Sequence, residues 1–170
     1  MKVDKWLREN LLTVYATKTK FLAFFSLTER ARPPDSSIIL HHCGSTNNPC
    51  DCPSIQQVNE IKYLGTIVDN KFKWDKHINL SITRSRKLLY KFYQLRKILN
   101  YETLKTVYFS LVQSILRYVI IIWGATNFTH VEPLYKLQKR ILKIIGFKEN
   151  QFPTNILFKD SKVLSVRQLY

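Results

Sequence analysis

Long apolar runs, glycine and cysteine are all scarce in this sequence. No run approaches the roughly 20 apolar residues that span a bilayer, and the longest, at 118–125, is predicted to be a buried helical segment. The first ten residues, MKVDKWLREN, contain no continuous apolar stretch, so a signal peptide is not expected. Three cysteines without such a signal favour an intracellular protein of the nucleus or cytoplasm, with thiols that are reduced or bound to metal.

Acidic residues are also scarce, and this gives the chain a large positive charge. Twenty-seven Lys and Arg oppose twelve Asp and Glu, for a net charge of +15. Such an excess attracts polyanions, which are nucleic acids or anionic membrane surfaces. Composition does not choose between these partners, so the placement of the charges has to decide.

The hydrophobic pattern predicts a small β region followed by helices. Strands are expected within residues 11–25, 37–42 and 61–68, with a turn at 69–71 and Asp75 as a helix cap. Helices are expected at 76–99, 101–124 and 131–147, with Asn100 as the cap of the second. The apolar second helix would form the centre of a three-helix or four-helix bundle. The predicted fold class is therefore α+β, with a small antiparallel β region at 1–74 and a helical domain at 75–170.

The first and third predicted helices each carry a basic face opposite an apolar one. These faces lack the acidic partners four residues away that stabilise ordinary solvated helices, and crowded like charges cost stability. A plain solvated surface is the simpler explanation of one basic stripe, but two such stripes favour contact with the phosphate backbone of a nucleic acid. The residues are Lys76, Arg84, Arg86, Lys87, Lys91 and Lys97 on the first helix, and Lys136, Lys139, Arg140 and Lys143 on the third.

Several segments, in order, resemble the reverse transcriptases of non-LTR (LINE-like) retrotransposons of the jockey type and its relatives. The family's L-x-x-N-x-x-K-T motif resembles LLTVYATKTKFLAF, with Tyr15 in place of Asn. Its P-x-L-x-Y-G-x-x-x-W-G helix resembles LVQSILRYVIIIWGA, with Ser114 and Val119 in place of Pro and Gly. Its L-x-x-L-Q-K-R-x-x-R-x-I-x-G helix resembles LYKLQKRILKIIGF, with Lys143 where Arg is common. The resemblance covers nearly the whole chain.

The segment IKYLGTIVDNKFKWDKHI resembles the family's junction of palm and thumb. The resemblance implies that residues 1–74 are the end of a polymerase palm and 75–170 a thumb-like domain truncated at its C-terminus. Tyr63, Leu64 and Gly65 would then lie in the primer grip, close to the primer end of the growing DNA. The implied partner is a primer–template duplex such as an RNA–DNA hybrid, with no membrane involved. The fingers and the first part of the palm would precede Met1.

The resemblance also shows what the chain lacks for catalysis. Nucleotidyl transfer needs two Mg²⁺ ions held by clustered carboxylates, which stabilise the attacking and leaving oxygens. The family supplies these from an Asp-Asp hairpin and an earlier strand, whereas no two acids are adjacent in this sequence. We therefore expect no polymerase activity from this chain alone. By resemblance, Lys18 is a weak candidate for the general acid, and in isolation it is expected to be a solvent-facing residue of a turn.

A group of soft ligands at 41–52, HHCGSTNNPCDC, suggests a zinc site. Cys43, Cys50 and Cys52, with His42 or His41, would supply the four ligands that structural Zn²⁺ takes. The C-x-C spacing is tighter than in ordinary zinc fingers. A loop with uncoordinated thiols is the simpler interpretation.

Three functions stay open on the sequence alone. The first is a reverse transcriptase fragment that keeps its duplex-binding surface, and the incomplete elements expected at residues 1–10 and at Tyr170 favour it. The second is a stand-alone basic helical module that binds RNA or DNA. The third is a zinc-stabilised module that binds a protein partner.

Overall fold

The computed structural model describes residues 6–7, 9–24, 37–39 and 52–170. The chain divides into two units, Met1–Phe72 and Lys73–Tyr170, which are described separately below. The described residues combine short strands with helices, which confirms the α+β class. Within these residues no helix is both long and apolar enough to cross a membrane.

One sheet of the first unit combines parallel and antiparallel pairing. It contains β1 (Lys20–Phe21), β3 (Ser54–Gln57) and β2 (Ile38–Ile39), in that spatial order. Strand β3 is antiparallel to β2 but parallel to β1, so the prediction of a purely antiparallel region is wrong for this pair. Ile55, in the central strand, is buried.

A second sheet is a tight hairpin of β4 (Glu60–Tyr63) and β5 (Thr66–Asp69). Leu64 and Gly65 form its two-residue turn, and both have positive φ angles, of 46° and 84°, as a type I′ turn requires. The prediction of one continuous strand at 61–68 is therefore wrong. Facing residues differ in parity, because Tyr63 pairs with Thr66 and Ile61 with Val68. Of the two turn residues only Gly65 is a type that favours a type I′ turn, so the sequence signal for the reversal is weak.

The turn predicted at residues 69–71 is confirmed. A side-chain oxygen of Asp69 accepts the backbone N–H of Lys71 at 2.9 Å, which is the local bond that favours Asp at such turns. The chain then places the ring of Phe72 on that of Phe24, with 4.4 Å between the ring centroids and nearly parallel planes. This stacking joins the end of the hairpin to the segment that follows β1.

The second unit is built on two long helices, α1 (Asp75–Leu95) and α5 (Phe128–Ile145), which pack along each other. The helices are parallel. Asp75 and His130 meet at the N-terminal ends, with 3.1 Å between Oδ1 and Nδ1, and Tyr93 and Ile144 line one cleft at the C-terminal ends. The sequence predicts an apolar helix between these two, whereas the two amphipathic helices pack directly on each other.

The helix predicted at 101–124 is broken into several pieces. Between the last two, Val119 has a positive φ of 54°, which ends the α-helical run. Val119 stands where the resembling family has Gly, a residue that adopts this conformation without strain. In order, the pieces are α2 (Tyr101–Tyr108), a π-helical turn (Phe109–Gln113), α3 (Ser114–Arg117) and α4 (Ile120–Trp123).

Residues 118–125 are only partly buried, contrary to the prediction. Trp123 is fully enclosed and donates its indole N–H to the carbonyl of Tyr118 at 2.9 Å. Ile121 and Ile122 point outward, and 84% of Ile121 is exposed. Because α4 is a single turn after a break, its side chains do not continue the apolar face of α2.

The two predicted helix caps have different outcomes. Asn100 is confirmed as the cap of α2, because its side-chain oxygen accepts the N–H of Thr103 at 2.9 Å. Asp75 does not cap α1 but is its first residue, and the capping position belongs to Trp74, which is buried and has a positive φ. A carboxylate in the first turn is nevertheless favourable beside the partial positive charge of the helix N-terminus.

The C-terminal segment contains α6 (Thr154–Ser161) and α7 (Val166–Leu169), which both pack on α5. Arg167 fastens α7 to the first half of α5. Its guanidinium donates to Glu132 at 2.8 Å and lies 3.6 Å from the ring centroid of Phe128. Charge pairing and stacking therefore act together at this contact.

A buried polar network joins this segment to α5 and α2. The side-chain amide of Gln138 donates to the hydroxyl of Tyr108 at 2.8 Å and to the carbonyl of Leu164 at 2.9 Å. Its carbonyl oxygen accepts the N–H of Val166 at 2.8 Å, while Tyr108 donates to Gln113 at 3.0 Å. Gln138 is only 1% exposed, so water does not replace these bonds. Burial raises the pKa of Tyr108 to about 12, so its hydroxyl remains a donor at neutral pH.

We predict that Val119→Gly raises the free energy of unfolding by up to about 1 kcal/mol, because glycine removes the Cβ clash of this left-handed residue. Urea unfolding of the full chain measures the change. The matched control is Val107→Gly within α2, which should lower the free energy of unfolding by about 1 kcal/mol. An equal loss of stability in both variants would show that Val119 is not strained.

We also predict that Gln138→Leu lowers the free energy of unfolding by about 2–4 kcal/mol, because it leaves buried groups of Tyr108, Leu164 and Val166 unsatisfied. The same urea experiment applies. Gln94→Leu, on an exposed position of α1, makes the same chemical change and should stay within about 0.5 kcal/mol of wild type. Equally small effects in the two variants would mean that the network contributes nothing.

Candidate nucleic-acid interface

The α1 helix presents a basic face to solvent. At about 100° per residue, Lys76, Arg84, Lys87 and Lys91 lie within an arc of about 80°, and the buried Phe92 lies on the other side. The six residues predicted on this helix are all exposed: Lys76, Arg84, Arg86, Lys87, Lys91 and Lys97. The last of them follows the end of α1.

The middle of this face has no acidic partner. Among the described residues, no carboxylate lies within ion-pair distance of Arg84, Lys87 or Lys91. Arg86, which also has no such partner there, lies about 120° from the centre of this face, so its predicted place on it is wrong. Like charges at this spacing on a helix repel each other by a few tenths of a kcal/mol per pair, roughly as much as opposite charges attract. A bound polyanion would remove this repulsion.

The basic stripe of α5 is shorter than predicted. Lys136 and Arg140 are exposed and Lys139 is half-buried, but Lys143 is only 8% exposed, so its predicted place on the open surface is wrong. The helical period puts Lys143 on the polar side of α5. The chain after α5 then folds back over it, and the carbonyl of Asn150 accepts an N–H of the Lys143 ammonium.

An acidic partner is present at the start of this stripe. Glu132 lies 3.7 Å from the ammonium of Lys136, four residues further along the helix, and it also pairs with Arg167. The prediction that the stripe lacks such partners is therefore wrong at Lys136. Two cations of the stripe, Lys139 and Arg140, are at least partly exposed and have no ion pair in the described chain.

The hairpin of the first unit presents its turn to solvent. Tyr63 and Leu64 are 64% and 75% exposed, and Gly65 is half-buried beside them. Leu64 also has a positive φ, a conformation that costs a leucine some strain. These three residues thus form a largely exposed tip of the hairpin.

Lys18 is exposed in a turn, as expected, with its ammonium 5.4 Å from the ring centroid of Tyr15. Its role as a general acid stays a prediction. Of the predicted zinc ligands, Cys52 is half-buried, while His42, Cys43 and Cys50 lie outside the described residues. Within the described part of the chain, no three His, Cys, Asp or Glu residues come together as a metal site. The zinc site therefore stays a prediction too.

The chain is similar to a transposon polymerase. Over 115 residues, 66% of its length, it is 27% identical to the "Probable RNA-directed DNA polymerase from transposon X-element" of Drosophila melanogaster. The match spans 13% of that protein. No protein-family model and no solved structure matches the chain. The similarity thus supports a relationship with transposon RNA-directed DNA polymerases, over a small part of such a polymerase.

A buried histidine lies in the first turn of α1, the helix that carries the basic face. His77 is 2% exposed in the first turn of α1, with its ring centroid 6.2 Å from that of Trp123. Burial lowers the pKa of His77 below its ordinary value of 6.5, and the charge of Arg84 lowers it further. The imidazole is therefore neutral at physiological pH and packs as part of the core.

We predict that acid destabilises the fold through His77. Its pKa is lower in the folded chain than in the unfolded one, so the unfolded chain binds the proton more readily. The stabilising contribution is complete above about pH 6.5 and is lost as the pH falls towards the lowered pKa. Thermal unfolding between about pH 7.5 and 5.5 should show this decline in wild type.

His77→Gln should flatten that pH dependence, whatever its effect on stability at pH 7.5. His130→Gln, which changes a 45% exposed histidine, should keep the decline. If His77→Gln follows the wild-type pH dependence unchanged, another group is responsible.

Proposed function

We propose that this chain is part of a non-LTR retrotransposon reverse transcriptase and that it binds a nucleic-acid duplex. The observation that carries the proposal is the exposed basic face of α1, with Arg84, Lys87 and Lys91 unneutralised within the described chain. The similarity to a transposon RNA-directed DNA polymerase supports the choice of nucleic acid over other polyanions.

In this proposal the two units have different tasks. The first unit is the end of the palm, and its exposed tip, Tyr63–Leu64–Gly65, contacts the primer strand. The second unit is thumb-like, and its basic helices hold the duplex. Lysine and arginine side chains on a helix face reach phosphates without reading bases, so binding should tolerate any sequence.

Catalysis lies elsewhere in the parent enzyme under this proposal. The carboxylates that hold the two Mg²⁺ ions would belong to the earlier part of the palm. What this chain supplies is position: a primer end held still against the template raises the rate of the chemical step without taking part in it. Its contribution is therefore to binding and alignment.

We predict salt-dependent binding of a duplex of about 20 base pairs, made as an RNA–DNA hybrid, with log K falling linearly with log salt. Lys87→Gln/Lys91→Gln should weaken binding about tenfold and reduce the magnitude of the slope by about 1–2, because each cation releases about one counterion from the duplex. Fluorescence anisotropy over a salt series measures both quantities.

The matched control is Lys159→Gln/Lys162→Gln. It removes the same charge from two exposed positions near the end of α6 and should bind the hybrid as wild type does. Equal weakening of binding in both double variants would show that net charge alone causes the effect. A flat plot of log K against log salt for wild type would refute the proposed function.

A further inference from the structure

A basic cleft of about 410 Å³ lies between the C-terminal ends of α1 and α5. Four cations line it: Arg96, Arg140, Lys143 and Lys148. The one acid in its lining is Glu149. Neither this acid nor any other carboxylate of the described residues lies within ion-pair distance of the four cations.

The parallel arrangement of α1 and α5 explains part of this charge. Both helices end at the cleft, and the free carbonyls of each end act as about half a negative charge. These two ends and Glu149 together balance about two of the four positive charges. About two positive charges are therefore left over, more than the fold itself requires.

Contacts within the fold hold two of the four cationic groups in place. Lys143 is buried, and Asn150 takes one of the three N–H donors of its ammonium. The guanidinium of Arg96 lies over the ring of Phe147, 4.5 Å from its centroid. These positions are fixed before any ligand arrives, so a ligand would lose little affinity to ordering them.

We propose that this cleft is a binding site for a phosphate group. A phosphate monoester carries a charge of about −1.5 to −2 near neutral pH, which matches the excess of positive charge in the cleft. Guanidinium groups offer paired N–H donors in the geometry that phosphate oxygens accept. The phosphate can come from a nucleic-acid strand, in which case the site rests on the proposed function, or from free phosphate in solution.

The first test uses inorganic phosphate as the probe and amide NMR of the full chain as the readout. Saturable shifts are expected at Ile144 and at residues 148–150, beyond those caused by chloride at equal ionic strength. Arg140→Gln/Lys148→Gln should abolish them, and Lys159→Gln/Lys162→Gln should not. Both cleft positions are exposed, so a folded spectrum is expected, and Lys148→Gln alone replaces the pair if it is not obtained.

The proposal is overturned if wild type shows no saturable shifts at the cleft, or if the cleft variant keeps them. Shifts that are equal at Lys87, Lys91 and the cleft would also overturn it, since they would indicate diffuse attraction by net charge. Saturable shifts that disappear only in the cleft variant would support it.

The second test identifies the source of the phosphate. Binding of the hybrid duplex, with and without a 5′-phosphate, is compared between the cleft variant and the Lys159→Gln/Lys162→Gln control. About tenfold weaker binding by the cleft variant alone supports a nucleic-acid phosphate, and a 5′-phosphate dependence lost in that variant supports a terminal one. Phosphate shifts in a wild-type chain that binds no duplex would support the cleft with free phosphate as its ligand, while the proposed function fails.

Discussion

The fold of the second unit depends on the buried side chain of Gln138. Its amide bonds to Tyr108 on α2 and to the backbone at Leu164 and Val166, so three segments distant in sequence meet at one group. An apolar residue of the same size would pack there but would not specify which segments meet. Because each bond is buried, an alternative arrangement leaves unsatisfied groups, and this penalty selects a single arrangement of the helices.

Around that network, the direction of α1 and α5 determines the electrostatics. Antiparallel helices cancel their dipoles, whereas these two run parallel and place both positive ends by Asp75 and both negative ends by Arg96. The cations on the outer face of α1 and those at its end therefore have different causes. The cleft cations partly balance the negative helix ends, whereas Arg84, Lys87 and Lys91 on the outer face have no ion pair among the described residues.

Much of the helical part follows from the sequence, because the apolar period of α1 and α5 and the cap at Asn100 are local signals. Features that leave no local signal in the sequence could not be predicted in this way. The hairpin turn has Leu64 at a position where Asn, Asp or Gly usually marks a reversal of the chain. Lys143 is buried by a loop whose path no periodicity encodes. The cleft is likewise missed, since Arg96 and Lys148 belong to no stripe and meet only in three dimensions. The sequence signal for the break in the second predicted helix is Val119, which stands where the resembling family has Gly.

The parallel packing of α1 and α5 also has a consequence for how the unit assembles. The two helices touch along their length, yet the whole segment 96–127 separates them in sequence, so their contact closes a long loop. Such contacts raise the contact order of an otherwise helical protein and slow its folding relative to a bundle of successive antiparallel helices. During synthesis, α1 emerges before the surface that will cover its apolar side. Until α5 has been synthesised, α1 is an exposed cationic amphipathic helix. Binding to a nucleic acid at that stage would shield the charge of α1 but not its apolar side.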